Sequence, residues 1–364
     1  MKVAIVAPLV SAIREPQGGG SQAFVSDLAR GLAGRGHEIH VYAATGSQIP
    51  GVTVVDTGVD PRSLAATLYR VGDSSGRDPG GAVPAFASAY SAVRDGRYDV
   101  IHNHAFDAPA ISLAGGLNAP VVHTLHLPPD PAIAAALGQA ARGGQPPAVA
   151  CVSQFQASAW REVARVDAIL PPYVPTRSVP WSGTPGDGAV FAGRLSPEKG
   201  AAEAIDIARA AGARIDVYGD AYDADYAREK IDPRRDAPGV SVHQGVPRAA
   251  MWAAMARAAV VLCPARWDEP FGMAAADAQA CGTPVVAFRR GGLAEIVVDG
   301  VTGFLVEPDD LEGAAGSVRR AARISRAACR RHAETNLDLE RSLDGHEQLY
   351  RAVIGRGTGT PVRG

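Results

Sequence analysis

Cysteine is scarce and scattered in this chain of 364 residues: the four are Cys151, Cys263, Cys281 and Cys329, and no two form a CxxC pair. That spacing argues against both a zinc framework and a disulfide scaffold, so a reducing compartment, the cytoplasm, is the expected setting. An excess of charge of one sign is lacking too. Lys and Arg number 36 against 38 Asp and Glu, a formal charge of −2, so no broad basic field exists to neutralise nucleic-acid phosphates. No nucleic-acid partner is expected. No apolar run approaches the roughly 18 residues that span a bilayer, which leaves only peripheral membrane contact. The apolar opening stretch gives way to Ser11, Arg14, Glu15 and Pro16 where a signal peptide would still need apolar residues. It reads as a first buried strand.

What is present is enough apolar material for two cores. With 46% hydrophobic and 20% charged residues the chain is globular in composition, and its length exceeds what one core usually serves. Short β-branched runs alternate with alanine-rich helical stretches, the βαβ pattern of parallel sheets. Strands are expected near 2–7, 38–43, 52–56, 100–102, 121–125 and 149–152, and again near 189–192, 214–218, 241–243, 260–263, 284–288 and 303–306. Helices are expected near 21–33, 62–71, 84–94 and 131–141, then near 199–211, 248–257, 271–280, 311–323 and 337–354. A proline- and glycine-dense stretch over 173–188 is too broken for an element interior and reads as a linker. It separates an α/β domain over 1–172 from a second over 189–336.

Gly18, Gly19 and Gly20 precede the helix expected from Ser21, so free amides and a positive helix end point at whatever lies before them, most often a phosphate. Gly18-x-Gly20-x-x-Ala23 also fits the dinucleotide fingerprint, which makes a nicotinamide-dependent dehydrogenase a rival. The context argues against it. The fingerprint's first glycine follows its strand directly, whereas here about ten residues intervene, and the second strand ends in Ala43, Ala44 and Thr45 with no acid for a ribose.

The richest stretch runs from Asp268 through Glu269, Pro270, Phe271, Gly272 and Met273 to Asp277. Eight residues of helix rise separate the two carboxylates Glu269 and Asp277 by about 12 Å along the backbone, too far to flank one scissile bond. They suit the two ends of an extended ligand, with the amides of Phe271, Gly272 and Met273 facing an anion between them. Upstream, the sequence GRLSPEKG at 193–200 carries Arg194, a planar donor fork, and Lys199, a flexible ammonium, both suited to a diphosphate.

Together the GGGSQ loop, DVIHNH at 99–104, HTLH at 123–126, GRLSPEKG, and EPFGMAAADAQACGTPVVA through GFLVEP resemble the retaining glycosyltransferases of family 4. The resemblance covers almost the whole chain and implies the GT-B architecture: two Rossmann-like α/β domains with parallel sheets facing across a cleft, the closing helix returning to the first. It implies transfer of a sugar from a nucleotide-diphosphate donor, UDP- or GDP-type, to an acceptor hydroxyl such as a cyclitol, lipid, glycan or small natural product, without metal or further cofactor. Its motifs carry Glu269 to the donor sugar, Asp277 to the ribose and Arg194 with Lys199 to the diphosphate. They carry His126 to the reacting centre, Gly19 and Gly20 to the phosphates or acceptor, and Val246 to the base. Asp277 stands where the family usually has glutamate, one methylene longer, and Pro172-Tyr173-Val174 stands where many members have Asn-Gly-Val. A nucleotide-sugar epimerase of the same fold and a catalytically silent nucleotide-sugar binder are the rival readings.

His102 and His104 alternate along the strand ending at 104, with one expected in the packing and His104 on the acceptor side. His123 and His126 lie near, but without close carboxylate or cysteine partners a metal site is not expected. Trp267 beside Glu269 is a stacking candidate or a packing residue. Arg319, Arg323, Arg326 and Arg330 recur at helical spacing and read as one solvated helix face. The stretch 72–84, rich in glycine, serine and aspartate, is the expected acceptor loop and carries no ligand code.

Overall fold

A computed structural model describes residues 1–67, 81–143, 145–184 and 186–357. The chain divides into two compact units: Met1–Arg14, Gly20–Pro171 and Glu340–Gly364 form the first, Glu15–Gly19 and Pro172–Leu339 the second. The remainder of the helix expected over 62–71, which begins as the 3-10 turn Pro61–Thr67, and the 72–80 part of the expected acceptor loop lie outside the described residues.

The first unit is built on a seven-stranded sheet of β1 (Lys2–Val6), β2 (Glu38–Ala43), β3 (Thr53–Asp56), β4 (Val100–Asn103), β5 (Val121–Leu125), β6 (Ala148–Cys151) and β7 (Ala168–Ile169). All pairings are parallel, in the order β3-β2-β1-β4-β5-β6-β7. Parallel sheets are covered on both faces, so their central strands are apolar without alternation. β4 and β6 are buried at every residue. The helix Gly20–Gly34 seals one face with Phe24, Val25, Leu28 and Leu32, and the helix Leu339–Gly357 joins this unit through the buried Leu343 and Tyr350.

The second unit holds a six-stranded parallel sheet of β8 (Ala189–Ala192), β9 (Ile215–Tyr218), β10 (Val240–His243), β11 (Val260–Cys263), β12 (Val285–Phe288) and β13 (Gly303–Val306), ordered β10-β9-β8-β11-β12-β13. Phe191, Val217, Leu262 and Phe288 meet Ile205 and Ile207 of the helix Ala201–Ala210, and Ala315 and Val318 of the helix Leu311–Ala321, in one core. In each unit the strand order reverses beside its first strand, at β1/β4 and at β8/β11. The crevice beyond the carboxyl ends of strands at such a reversal is where open α/β sheets bind ligands.

Every expected strand is present; β7, two residues long, is additional. The arginine run is a correction. The helix Leu311–Ala321 stops, and a second helix, Arg326–Asn336, starts under a Ser325 cap. Arg326 and Arg330 are buried. The Arg326 guanidinium donates to the carbonyls of Ser182, Ala256 and Ala258, and Arg330 donates to those of Thr176, Val179 and Ala280. Ala256, Ala258 and Ala280 lie at the carboxyl ends of the helices Arg248–Arg257 and Met273–Ala280, where unpaired carbonyls and the dipole favour a cation. These two arginines are internal cross-links, and spacing alone had no means of registering the helix break between them and Arg319. Among the described residues no helix is long and apolar enough to cross a membrane.

Candidate functional site

In the second unit the carboxyl edges of β8 and β11 carry the charged cluster. After β8 the chain turns through Gly193 to Arg194 and on to the 3-10 turn Pro197–Lys199. After β11 it runs as a loop through Trp267 to Glu269. Lys199 Nζ donates to both oxygens of Glu269, at 2.9 and 2.7 Å, and Trp267 Nε1 donates to Oε2 at 2.8 Å. The ammonium also lies 4.9 Å from the Trp267 ring centre, a cation–π contact. Glu269 is thus fixed from two sides before any ligand arrives. Arg194 Nη2 donates to Glu198 Oε1 at 3.0 Å, and its guanidinium lies 4.1 Å over the Tyr222 ring. The Ser196 hydroxyl donates to the same Glu198 oxygen at 2.7 Å. Both cations remain within reach of solvent, at 23% exposure for the Arg194 side chain and 21% for Lys199.

The loop that presents Glu269 is clamped from below. Gly292 N donates to the Glu269 carbonyl at 2.7 Å, and a Cβ at Gly291 would lie 2.3 Å from that same oxygen, so only glycine fits. Gly272 has φ +109°, a value closed to other residues, and the helix therefore opens at Met273 rather than at Phe271. The first amides of that helix have no intrahelical acceptor. Phe271 is buried, 6.0 Å from the Tyr173 ring. Asp277, on the same helix, is buried, and its Oδ1 accepts from Arg248 Nη2 at 3.0 Å. Arg248 in turn lies 4.5 Å over the Trp252 ring. Val246, half-buried, stands in the turn between β10 and the helix Arg248–Arg257, next to Gly245, whose amide donates to Asp220 Oδ1 at 2.7 Å. Gly19 falls in the short segment that counts with this unit, and Gly20 is the first residue of the first unit's helix.

In the first unit the reversal at β1/β4 is occupied by histidines. His102 and His104 do not diverge as the reading of the strand had it. Residues two apart share a face, and the two rings lie with centroids 4.1 Å apart, tilted by 36° to each other. His104 is fully buried, with Nδ1 3.0 Å from His126 Nε2. Any influence it has on a ligand therefore runs through His126, which is partly exposed at the end of β5. His102 meets the Tyr350 and Thr124 hydroxyls at 2.6 and 2.7 Å. His346, from the helix Leu339–Gly357, donates Nδ1–H to the Ser342 carbonyl at 2.7 Å. Burial pushes His123, His126 and His346 down to about 4, and His102 and His104 well below the ordinary histidine value. All five are neutral near pH 7. His102, His104 and His346 each bring a ring nitrogen within 4.8 Å of the others. Both nitrogens of His102 are already hydrogen-bonded.

The geometry adds residues that the sequence reading passed over: Glu198, Tyr222 and Arg248 as partners of the expected cations and acid, Gly291 beneath the loop, and His346. Glu198 sat inside the quoted motif, where its four-residue spacing from Arg194 was a usable signal. Arg248 lies 29 positions from Asp277, with nothing local to connect them. Trp267 proves to be neither a free stacking platform nor mere packing, since its indole N–H fixes Glu269.

Comparison with known proteins places the chain. The model described as "Glycosyl transferases group 1" matches residues 186–335, and that described as "Glycosyltransferase Family 4" matches residues 18–177. The D-inositol 3-phosphate glycosyltransferase of Xylanimonas cellulosilytica is 31% identical, over 85% of this chain and 85% of that protein. Sucrose-phosphate synthase from Thermosynechococcus elongatus has a similar structure, with TM-score 0.79 and 19% identity over 98% of this chain and 100% of that one. Anabaena HepE, solved with UDP-glucose, has TM-score 0.73 and 20% identity over 97% of this chain and 100% of its own. At such identity the structural likeness speaks for the fold, which is that of the GT-B glycosyltransferases.

Proposed function

The chain belongs to glycosyltransferase family 4, and from that premise we propose that it moves a sugar from a nucleoside-diphosphate donor, UDP- or GDP-type, to an acceptor hydroxyl with retention at the anomeric carbon. The observation that carries the donor assignment is the Lys199–Glu269–Trp267 cluster beyond β8 and β11. Glu269 accepts from sugar hydroxyls, and Lys199 and Arg194 meet the diphosphate with charge-assisted hydrogen bonds. The free amides at the start of the helix Met273–Ala280 add positive potential to the same place. These charge-bearing donors and amides let the departing diphosphate be stabilised without a divalent metal.

His126 has the role beside the sugar that the family resemblance implies. Neutral at pH 7 and held by His104, it hydrogen-bonds a hydroxyl rather than carrying charge. With Glu269 assigned to sugar hydroxyls and Asp277 to the ribose, both carboxylates of the motif have other roles, which supports a front-face reaction. The acceptor oxygen bonds to the anomeric carbon as the bond to the phosphate oxygen breaks, and the acceptor proton passes to that phosphate oxygen. The relatives' name makes an inositol phosphate the first acceptor to try.

A thermal-shift screen of nucleoside diphosphates and their sugars tests the donor reading. A ligand at 100 times its dissociation constant stabilises by about 2.7 kcal/mol. A shift that is lost in Lys199→Ala is the expected result. No shift with any nucleotide, or a shift unchanged in Lys199→Ala, would overturn the assignment.

A further inference from the structure

We propose that Arg248 is a positioning residue for the ribose end of the donor: by holding Oδ1 of Asp277 it fixes the rotation of that carboxylate, so that Oδ2 holds one ribose hydroxyl more firmly than the other is held. This rests on the donor-site reading above and concerns how this chain works with aspartate at that position.

A carboxylate oxygen can accept more than one hydrogen bond, but it holds a vicinal diol evenly only when each oxygen is turned to one hydroxyl. Here Asp277 Oδ1 is committed to Arg248 Nη2 at 3.0 Å, and the two side chains are only 4% and 9% exposed. A charge-assisted bond shielded from water is not displaced by a neutral hydroxyl, because breaking it would leave a buried guanidinium without that partner. Among the described residues no other hydrogen bond reaches the Asp277 carboxylate, so Oδ2 is the oxygen that remains. Arg248 is itself anchored. Its guanidinium lies 4.5 Å over the Trp252 ring, and its backbone amide donates to Glu15 Oε2 at 3.0 Å. It opens the helix Arg248–Arg257 two residues after Val246, so one turn carries both the expected base contact and the group that orients the ribose acid.

The test is calorimetric titration. UDP, GDP and ADP are compared first, and the tightest binder is then tested as its 2′-deoxy and 3′-deoxy forms. One deoxy form should bind about tenfold or more weakly, the loss of one hydrogen bond to a charged group, while the other binds within about threefold of the parent. In Arg248→Gln, with folding checked by circular dichroism, the parent and both deoxy forms should bind with similar, weakened affinity. Arg248→Lys should keep the wild-type ranking. A purely structural Arg248 would lower the melting temperature and leave the ranking unchanged in Arg248→Gln, which overturns the proposal. So does a wild type in which both deoxy forms lose tenfold, or neither does. If no diphosphate binds, or binding is indifferent to Lys199→Ala, the donor-site reading falls and this inference with it. Binding that depends on Lys199 but has the wrong deoxy pattern sinks this inference alone.

Discussion

Replacing Lys199 with methionine separates the lysine's structural role from its chemical one. The side chain keeps its aliphatic reach and loses only the terminal ammonium, so Glu269 loses donors at 2.9 and 2.7 Å and retains the Trp267 indole. Breaking a fully buried ion pair costs about 3–5 kcal/mol. Lys199 and Glu269 are 21% and 14% exposed, so water can rehydrate the carboxylate and the expected cost is lower, about 1–2 kcal/mol. That corresponds to a melting shift of roughly 2–8 °C for a domain of this size. The effect on catalysis is of a different kind. A charge-assisted hydrogen bond to the departing diphosphate, worth about 1.5–3 kcal/mol and realised mainly in the transition state, means a 10- to 150-fold fall in kcat/KM. Adding Glu269→Gln removes the stranded carboxylate, so the double variant should regain most of the stability and none of the activity. Calorimetric melting and steady-state kinetics on the four members of the cycle make the comparison. Wild-type kinetics in Lys199→Met, or activity that returns together with stability in the double variant, would refute the reasoning.

Three further outcomes follow from the same geometry. Trp267→Phe keeps a ring beneath Lys199 but removes the indole donor, and should lower kcat about tenfold with a melting temperature within a few degrees of wild type, read by kinetics and calorimetry. Gly291→Ala forces a methyl against the Glu269 carbonyl, and hydrogen exchange should show the 268–273 loop loosened together with weaker nucleotide binding. Acid should open the first unit before the second. His123, His126 and His346 sit at about 4 in the fold against 6.5 unfolded, so the unfolded state binds more protons between those values. Stability is then fully present above pH 6.5 and falls as pH drops toward 4, by up to about 3 kcal/mol per histidine at 1.36 kcal/mol per pH unit. Hydrogen exchange at pH 7 and at pH 4.5 should show protection lost first in β4, β5 and the helix Leu339–Gly357; simultaneous loss in both units would contradict it.

How much of this was legible in the sequence depended on whether a feature is local. The central strands β1, β8 and β11 are short apolar runs whose burial on both faces shows in their composition alone, whereas β4 buries His102 and Asn103 that composition would not assign to a core. β7 has two residues and no pattern to read. Gly272 was singled out, but its φ of +109°, and Leu293, which would lie 2.7 Å from a Cβ there, belong to the fold and not to the local sequence. The residues of the charged cluster stood in two motifs, while the pairing that joins them, Lys199 to Glu269, spans 70 positions. The error over His102 and His104 was one of geometry, since alternate residues on a strand share a face. The error over Arg326 and Arg330 came from reading a spacing through a helix end. Their burial depends on carbonyls released by two other helices, which no periodicity encodes.

The central claim is a donor-dependent transfer with retention, and the product's anomeric centre tests it most directly. The protein is incubated with the nucleotide sugar that shifts its melting most, an inositol phosphate and a chelator, and the isolated product is analysed by NMR. The account predicts nucleoside diphosphate released only when acceptor is present, and a one-bond C–H coupling at the new anomeric carbon that matches the donor's configuration. An inverted anomeric centre, or turnover that disappears with chelator and returns with Mg²⁺, would contradict it.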